Sequence, residues 1–445
     1  MSSKSPSTLI RGATILTVDG EDRVLQGDVL IRDSRIAKIA PKIPARGVDH
    51  VVNAKGQILI PGFVQCHVHL CQTLFRGLAD DVSLLDWLAN RIWPLEAALE
   101  PEDLRASARI GIAELLLSGT TSILDMGTVR HTEVLFQEAK RMGLRYAGGK
   151  CIMDAGRGYP ARLKQSTDVA MKESVELCER FHGTVQGRLR YAFAPRFVLS
   201  SSEESMRRSV SEARKCGALL HTHASENAEE VELVRERTGM GNVEYLHSIG
   251  FSGPDVFVAH GIWLSPSERR LLRESKTRIV HCPSANLKLA SGIARVPELL
   301  KEQIHVALGA DGAACNNSLD QFQEMRLAAL LHKVRGGPTA VPAARALRLA
   351  TADGAAALGL NDCGSIEEGK LADLVLLDLQ KPHALPSTGD PASRVVYSAR
   401  PSDVRSVWVD GKALVEEGEL LPLKLPGIIR EAEKAAVRVR DRALN

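Results

Sequence analysis

Apolar and polar positions divide the chain into two β-rich ends and a middle in which strands and helices alternate. At the ends, short apolar strands are separated by turn residues such as Lys55-Gly56 and Asp410-Gly411. In the middle, each short apolar run is followed by a longer segment with apolar residues at helical spacing. The predicted middle strands are GFVQCHVHL, TTSILDM, LRYAGGKCIM, LRYAFAPRF, ALLHTHASE, DVFVAHGIWL, RIVHCPSAN and HVALGADGAA.

Repeated strand-then-helix segments predict parallel strands joined by crossover helices, and 445 residues are enough for a closed barrel with an accessory domain. We therefore predict an α/β fold: a (β/α)8 TIM barrel with a small β-sandwich domain built from both termini. The predicted boundaries are 1–60 together with 365–425 for the β-domain, 61–364 for the barrel and 426–445 for a C-terminal helix. An open doubly wound sheet is the alternative, but no glycine-rich phosphate turn follows the first middle strand.

Composition narrows the expected partners to small molecules. The chain has 57 basic and 54 acidic residues, a net charge of +3, and no basic run of the kind that binds nucleic acid. We expect no membrane partner, because no apolar run reaches about 18 residues and the N-terminus does not resemble a signal peptide. The 8 cysteines are scattered without a CxxC pair, which favours free thiols and a cytoplasmic protein.

Histidines concentrate at the ends of the predicted strands. His67 and His69 stand at i and i+2 of the first middle strand, so both side chains point to one face and can reach one ion. The further histidines near strand ends are His221, His223, His260 and His281, and Asp311 follows the eighth strand. Neutral imidazoles with one carboxylate and an open position are typical of a catalytic metal site. The fourth strand, YAFAPRF, offers no bridging ligand for a second ion, so we predict one.

Several motifs resemble the amidohydrolase superfamily, and within it the purine and nucleoside deaminases. They are PGFVQCHVHL, HASEN, AHG, LGADGAACNN and SIEEGKLADLVLLDL. The resemblance implies one divalent ion, zinc or alternatively iron(II), held by His67, His69, His223 and Asp311. It also implies that Glu226 carries the proton to the ring nitrogen and the leaving amine, while His260 orients the attacking water. Asp311 is expected to take the proton of that water, so Glu226, His260 and Asp311 are the predicted catalytic residues.

Substrate signals point in two directions. Gln72 and Arg196 match residues that guanine deaminases use, and an arginine would donate to a purine carbonyl that adenine lacks. Glu96 matches a residue that binds ribose hydroxyls in 5′-methylthioadenosine/S-adenosylhomocysteine deaminases, although guanine deaminases carry a glutamate there too. With Gln72, Glu96 and Arg196 as substrate-binding residues, we expect a deaminase of guanine-like oxopurines or pterins. The alternatives are a methylthioadenosine/adenosylhomocysteine deaminase, a triazine hydrolase and a non-catalytic protein of the same fold.

The sequence contains further polar, aromatic and cysteine residues to which the motifs assign no catalytic or binding role. Asp80 and Asp81 lie on the loop after the first middle strand, where barrel enzymes often carry lids. Arg162 could reach a substrate tail, but we do not favour that role, and for His281 we assign no role. Trp87, Trp93, Cys71 and Cys315 are expected to pack rather than to react. Members of the family are often oligomers, which the resemblance extends to this chain as an expectation.

Overall fold

The computed structural model describes residues 6–444, so residues 1–5 of the predicted β-domain and Asn445 of the predicted C-terminal helix lie outside it. The strands are β1 (Thr8–Leu16), β2 (Val24–Arg32), β3 (Arg35–Ala40), β4 (His50–Asn53), β5 (Ile58–Pro61), β6 (Phe63–His69), β7 (Thr120–Asp125), β8 (Arg145–Gly148), β9 (Cys151–Ile152), β10 (Leu189–Pro195), β11 (Leu219–Ala224), β12 (Val256–His260), β13 (Arg278–His281), β14 (Val306–Leu308), β15 (Asp311–Gly312), β16 (Leu374–Leu377), β17 (Val404–Val409), β18 (Lys412–Glu416) and β19 (Glu419–Leu420).

The α-helices are α1 (Leu84–Trp87), α2 (Trp93–Ala97), α3 (Pro101–Leu117), α4 (Glu133–Met142), α5 (Thr167–Phe181), α6 (Glu203–Cys216), α7 (Ala228–Thr238), α8 (Asn242–Ser248), α9 (Pro266–Ser275), α10 (Pro283–Lys288), α11 (Val296–Lys301), α12 (Gln321–Leu331), α13 (Lys333–Gly336), α14 (Ala343–Leu349), α15 (Ala352–Ala357), α16 (Pro391–Tyr397) and α17 (Leu425–Leu444). Short 3₁₀ turns occupy Leu70–Phe75, Ala161–Leu163, Pro382–Ala384 and Pro401–Asp403, and a π-helical turn spans Leu88–Ile92.

Strands from both ends of the chain form one nine-stranded sheet. Its order is β19-β18-β17-β16-β5-β1-β2-β3, with β4 paired to β1. The apolar core of this sheet contains Ile10, Val29, Ile31, Leu374 and Leu376, all fully buried. Residues two apart along a strand share a face, so Val29 and Ile31, like Leu374 and Leu376, pack into the same core.

The middle of the chain forms the predicted (β/α)8 barrel. The strand order is β14-β13-β12-β11-β10-β8-β7-β6-β15, with β9 paired to β10. The eighth strand is interrupted at Gly309-Ala310: β14 pairs with β13, whereas β15 pairs with β6. Through this change of neighbour the last strand meets the first, and the parallel order gathers the carboxyl ends of the strands at one edge.

Contacts between residues divide the described chain into two compact units. One contains the residues up to Gln65, Ala113–Ser122 and Asp320–Lys424, and the other contains Cys66–Ile112, Ile123–Leu319 and the residues from Leu425 onward. The nine-stranded sheet belongs to the first unit, and all the predicted site residues belong to the second. The domain boundaries drawn from the sequence stay a prediction. Within residues 6–444, no helix combines the length and the apolar character that a membrane crossing needs.

Candidate metal centre and active site

The predicted metal ligands meet at the carboxyl edge of the barrel strands. His67 and His69 end β6, His223 lies near the end of β11, and Asp311 begins β15. His67, His69 and Asp311 are buried, and His223 is partly buried. His260, the last residue of β12, joins the same cluster and is fully buried. Four separate strands of the barrel therefore contribute one shared group of side chains.

Three pairs of ligand atoms in this cluster have the spacing expected of ligands on one metal ion. His69 Nε2 lies 3.2 Å from His223 Nε2, and Asp311 Oδ1 lies 3.3 Å from His67 Nε2 and 3.4 Å from His69 Nε2. Ligands at the usual zinc distances, arranged as a tetrahedron, are themselves about 3.3 Å apart. The ligand atoms of His67, His69 and His223 all lie within 4.8 Å of one another.

The protonation of the cluster also suits a cation. Burial lowers the pKa of His67, and lowers those of His69 and His223 well below the usual value, so the imidazoles are neutral. For Asp311, burial raises the pKa, but the neighbouring histidines, His67 first, outweigh this and hold it well below the usual range. His67 Nε2 is buried without a hydrogen-bond partner among residues 6–444. A divalent ion would satisfy that nitrogen.

A carbonyl acceptor fixes the tautomer of His223, and a second imidazole lies beside His67. His223 Nδ1 lies 2.8 Å from the carbonyl oxygen of Arg196, which can only accept, so the proton is on Nδ1 and Nε2 is left for the cluster. His67 Nδ1 lies 2.8 Å from His221 Nε2. A proton on His67 Nδ1, donated to His221, likewise leaves His67 Nε2 free. His221 stands two residues before His223, so the HxH spacing of this strand was its signal in the sequence.

Glu226 and His260 form a second contact beside the cluster. Glu226 Oε2 lies 3.3 Å from His260 Nε2, and His260 Nε2 lies 3.9 Å from Asp311 Oδ2. Burial, the charge of Asp311 and then that of Glu230 raise the pKa of Glu226 well above its usual range, which favours the protonated carboxyl. His260 Nδ1 lies 2.8 Å from Asn286 Oδ1 and donates to it.

Backbone geometry at the site is unusual where these side chains leave the strands. His260 has φ 75° and Asp311 has φ 63°, both left-handed values that non-glycine residues rarely adopt. Two glycines next to Asp311 allow close approach. A Cβ on Gly309 would lie 2.6 Å from the carbonyl oxygen of His67, and one on Gly312 would lie 2.2 Å from Gln72 Oε1. The GADG sequence is therefore required by packing around the cluster.

The three predicted substrate-binding residues bond to one another. Arg196 Nη1 donates to Glu96 Oε2 at 2.6 Å, and Arg196 Nη2 donates to Glu96 Oε1 at 3.2 Å. Gln72 Nε2 donates to the same Oε1 at 2.9 Å. Burial opposes the charge on Arg196, but the Glu96 carboxylate more than offsets it and raises the pKa of the guanidinium. Gln72 Oε1 is buried and has no hydrogen-bond partner in the described chain.

A cavity adjoins these groups and the histidine cluster. Its volume is about 30 Å³, and Gln72, Arg196, Glu226, His260 and Asp311 all contribute to its lining. The apolar part of the wall consists of Leu84, Trp87, Leu88, Phe197 and Leu289. The lining therefore combines polar groups with apolar side chains, as is common in small-molecule sites.

The remaining candidates from the sequence lie outside this group or line its edge. Asp80 and Asn317 accept hydrogen bonds from Lys288 Nζ, which ties the loop after the first barrel strand to α10. Arg162 forms an ion pair with Glu100 at 2.6 Å. The other placements are as follows: Asp81 is exposed, His281 is buried in β13, Trp87 lines the cavity, Trp93 packs against Tyr159, and the thiols of Cys71 and Cys315 donate to the backbone.

Asp125, at the end of β7, is a site residue that the sequence reasoning did not single out. Its carboxylate accepts the backbone N–H of Leu70 at 2.9 Å and the hydroxyl of Tyr146 at 2.8 Å. The first of these bonds holds the turn that begins directly after His69. Burial raises the pKa of Asp125 to about 6. Its signal was a carboxylate directly after the apolar run TTSIL, at the strand end where barrel sites form.

Comparison with known proteins defines the class. The model of the amidohydrolase family matches residues 58–414, and the chain belongs to this family. It is 40% identical over 434 residues to a 5′-deoxyadenosine deaminase of Methanothermobacter thermautotrophicus, covering 97% of this chain and 99% of that one. It is 38% identical over 443 residues to a 5-methylthioadenosine/S-adenosylhomocysteine deaminase of Pelotomaculum thermopropionicum, covering 98% and 99%.

A solved structure agrees with these relatives. An adenosine deaminase of Xanthomonas campestris with bound zinc superposes with a TM-score of 0.91 at 32% identity, over 98% of this chain and 99% of that one. The protein is accordingly a hydrolase of the deaminase type, acting on C–N bonds, in a family that uses a divalent metal. The fold and the family predicted from the sequence are confirmed.

The comparisons do not support the substrate class that the sequence favoured, guanine-like oxopurines and pterins. The relatives favour the alternative, a 5′-methylthioadenosine/S-adenosylhomocysteine deaminase, over a deaminase of guanine-like oxopurines or pterins. The physical reason lies in Arg196. The preference assumed that this buried arginine requires a carbonyl of the substrate as its acceptor, whereas the carboxylate of Glu96 already fills that place.

Proposed function

We propose that the protein is a mononuclear zinc deaminase of adenine nucleosides that lack the 5′-hydroxyl, such as 5′-deoxyadenosine and 5′-methylthioadenosine. His67, His69, His223 and Asp311 would hold the ion. Three of their pairs, His69–His223, His67–Asp311 and His69–Asp311, lie 3.2–3.4 Å apart, which supports this set. Bound there, the ion supplies a Lewis acid and lowers the pKa of a water molecule toward about 7.

The observation that carries the reaction type is the buried Glu226 carboxyl beside His260 and Asp311. Deamination at an aromatic ring needs a proton on the ring nitrogen next to the carbon that water attacks, because negative charge would otherwise accumulate there. The raised pKa of Glu226 favours its protonated form, and its carboxyl lines the cavity, so it can donate that proton. Asp311 is ionised and can accept a proton from the attacking water.

His260 would hold the attacking water in place. Its Nδ1 donates to Asn286 Oδ1 at 2.8 Å, which fixes the ring and turns Nε2 toward Glu226 and Asp311. His260 Nε2 has no hydrogen-bond partner within residues 6–444, so it is available to the substrate or to water. Ammonia then leaves when the proton taken up by Asp311 reaches the amine through Glu226, and the remaining hydroxyl proton, released as the C–N bond breaks, restores the Glu226 carboxyl.

The substrate class rests on the relatives and on two properties of the cavity. The ion pair of Arg196 with Glu96 removes the need for a carbonyl on the purine. The wall of Leu84, Trp87, Leu88, Phe197 and Leu289 is apolar, which suits a 5′-methyl or 5′-methylthio group better than a hydroxyl or a charge. Relatives at 38–40% identity carry the names of deaminases of such nucleosides.

The decisive test is ammonia release from a panel of substrates by the purified, zinc-loaded protein. The panel contains 5′-deoxyadenosine, 5′-methylthioadenosine, S-adenosylhomocysteine, adenosine, guanine, 8-oxoguanine, isoxanthopterin and a hydroxylated or chlorinated triazine. We expect the highest kcat/KM for the first two, a lower value for adenosine, and none above background for the oxopurines, the pterin and the triazine.

The panel separates the proposal from its competitors. Turnover of guanine or isoxanthopterin alone would contradict the nucleoside assignment and return Arg196 to the role of a carbonyl donor. Dechlorination without deamination would indicate a triazine hydrolase. The proposed function is wrong if the protein binds one equivalent of zinc but releases ammonia from no member of the panel. The inactive control is Glu226→Gln, assayed at the same metal content.

A further inference from the structure

Two thiols lie side by side between consecutive helices of the barrel. Cys178 is in the last turn of α5 and Cys216 is the last residue of α6, and their Sγ atoms are 3.1 Å apart although they are 38 positions apart in the chain. We propose that Cys178 and Cys216 form a reversible disulfide, a redox modification site that staples α5 to α6.

The hydrogen bonds of the pair place the sulfurs for such a bond. The thiol of Cys216 donates to the carbonyl oxygen of Glu212 at 3.2 Å, so its lone pairs remain available to the thiol of Cys178. A disulfide bond is about 2.05 Å long. The two sulfurs therefore need to approach by only about 1 Å, which side-chain rotation at the ends of two helices can supply.

The two thiols differ in their exposure to solvent. This suits a pair in which one thiol reacts with the oxidant and the other then forms the disulfide. Cys216 is exposed, whereas Cys178 is buried. A cleft of about 330 Å³ opens beside them and is lined by both cysteines together with Val175, His182 and Phe193. Burial and the bond to Cys216 raise the pKa of the Cys178 thiol, so Cys216 is the thiol that meets an oxidant first.

The chemistry balances with a peroxide as the oxidant. The Cys216 thiolate attacks one oxygen of hydrogen peroxide: an S–O bond forms, the O–O bond breaks, and the departing hydroxide takes a proton to become water. The Cys178 thiolate then attacks the sulfenic sulfur, so that an S–S bond forms, the S–O bond breaks and a second water leaves. Two thiols are oxidised by two electrons, and one peroxide is reduced to two waters.

The position of the pair indicates what the disulfide does. Helix α5 leads into β10 and α6 leads into β11, so both cysteines lie near the amino-terminal ends of these two paired strands. Arg196 and His223 follow or end the same strands at their carboxyl ends. In barrel enzymes the amino-terminal edge contributes to stability and the carboxyl edge to catalysis. The cross-link should therefore stabilise the fold and leave turnover unchanged.

The test is to treat the native, zinc-loaded protein with a small excess of hydrogen peroxide and count thiols after unfolding. The chain has 8 cysteines, so we expect eight thiols before treatment and six after it. Peptide mapping should show a cross-link between the peptides that carry Cys178 and Cys216, and dithiothreitol should restore all eight thiols. The thermal midpoint should rise by a few degrees, since the cross-link restricts the unfolded chain, with no change in the rate of ammonia release.

Two variants control the assignment. Cys216→Ser replaces the exposed member and should keep all its thiols, with no rise in midpoint. In Cys178→Ser, the thiol of Cys216 should be oxidised to an oxyacid, and no cross-link should form. Retention of eight thiols by the wild type, or a cross-link that involves another cysteine, would overturn the proposal. A cross-link of this pair that lowers the thermal midpoint would overturn the stapling role.

Discussion

Arg196 Nη1 lies 2.6 Å from Glu96 Oε2, and both side chains are nearly excluded from solvent, with 5% and 6% exposure. Gln72 donates to the other carboxylate oxygen, so one anion organises two residues of the cavity lining. A buried charge without its partner is unfavourable by several kcal/mol. The two residues therefore act as a unit, and Arg196 is held in place by the protein before any substrate arrives.

Removing one partner of this ion pair should destabilise the protein more than removing both partners. We expect Arg196→Met to lower the free energy of unfolding by about 3–5 kcal/mol, because it leaves the Glu96 carboxylate buried and unpaired. The double variant Arg196→Met/Glu96→Leu should recover most of that loss, since no buried charge remains. Urea unfolding of the two single variants, the double variant and the wild type measures the coupling. Losses that simply add would contradict a tight pair.

The fold was predictable because its signal is repeated along the chain. Each of the predicted middle strands is a strand of the barrel, and the two β-rich ends supply β1–β5 and β16–β19 of one sheet. What the pattern did not show is the interruption of the last strand at Gly309-Ala310. The break lies in the GADG sequence, whose glycines approach the backbone of His67 and the side chain of Gln72 closely, and a pattern of apolar residues does not record such contacts.

The gathering of His67, His69, His223 and Asp311 was predictable for the same reason, since parallel strands bring their ends to one edge. The partners of these residues were not predictable. The bond of His67 to His221 and that of Leu70 to Asp125 depend on side-chain directions across the barrel. The contact between Arg196 and Glu96 was not predictable either, because the two residues are 100 positions apart in the chain. The substrate prediction based on Arg196 therefore did not include its bound carboxylate.

His221 should tune the affinity of the metal site without binding the ion. Its Nε2 lies 2.8 Å from His67 Nδ1, and as the acceptor of that proton it would keep the lone pair of His67 Nε2 directed into the cluster. We expect His221→Asn to weaken zinc binding by about 10–100-fold. Competition with a chromophoric chelator measures the change. The exposed His247 provides the matched control, and equal zinc affinity of His221→Asn and His247→Asn would show that this bond does not orient His67.

Glu226 should control the rate and its pH dependence but not the metal content. We expect Glu226→Gln to lower kcat by about 10²–10⁴-fold, because the variant cannot donate a proton to the ring. Its raised pKa means that the wild type is active while the carboxyl is protonated, so kcat should fall as the pH rises through that pKa. This decline should be absent from the residual activity of the variant. Glu229→Gln, an exposed change on α7, is the control.

Asp125 should make the stability of the metal-free protein depend on pH. Burial raises its pKa from 3.8 to about 6, so the folded state binds a proton that the unfolded state has already released. Its stabilising contribution is complete below the unfolded pKa near 4 and is lost as the pH rises through 6. The total change is at most about 3 kcal/mol.

Asp125→Asn keeps an oxygen acceptor for the N–H of Leu70 and removes the titrating group. The unfolding free energy of the wild type, minus that of Asp125→Asn, should therefore decline between about pH 4 and pH 7. Urea unfolding of metal-free protein at several pH values measures this difference, with the exposed turn variant Asp33→Asn as the control. A difference that stays constant over this range would mean that Asp125 ionises in the folded protein as readily as in the unfolded chain. The carboxyl group that accepts the N–H of Leu70 would then have an unshifted pKa in the folded protein.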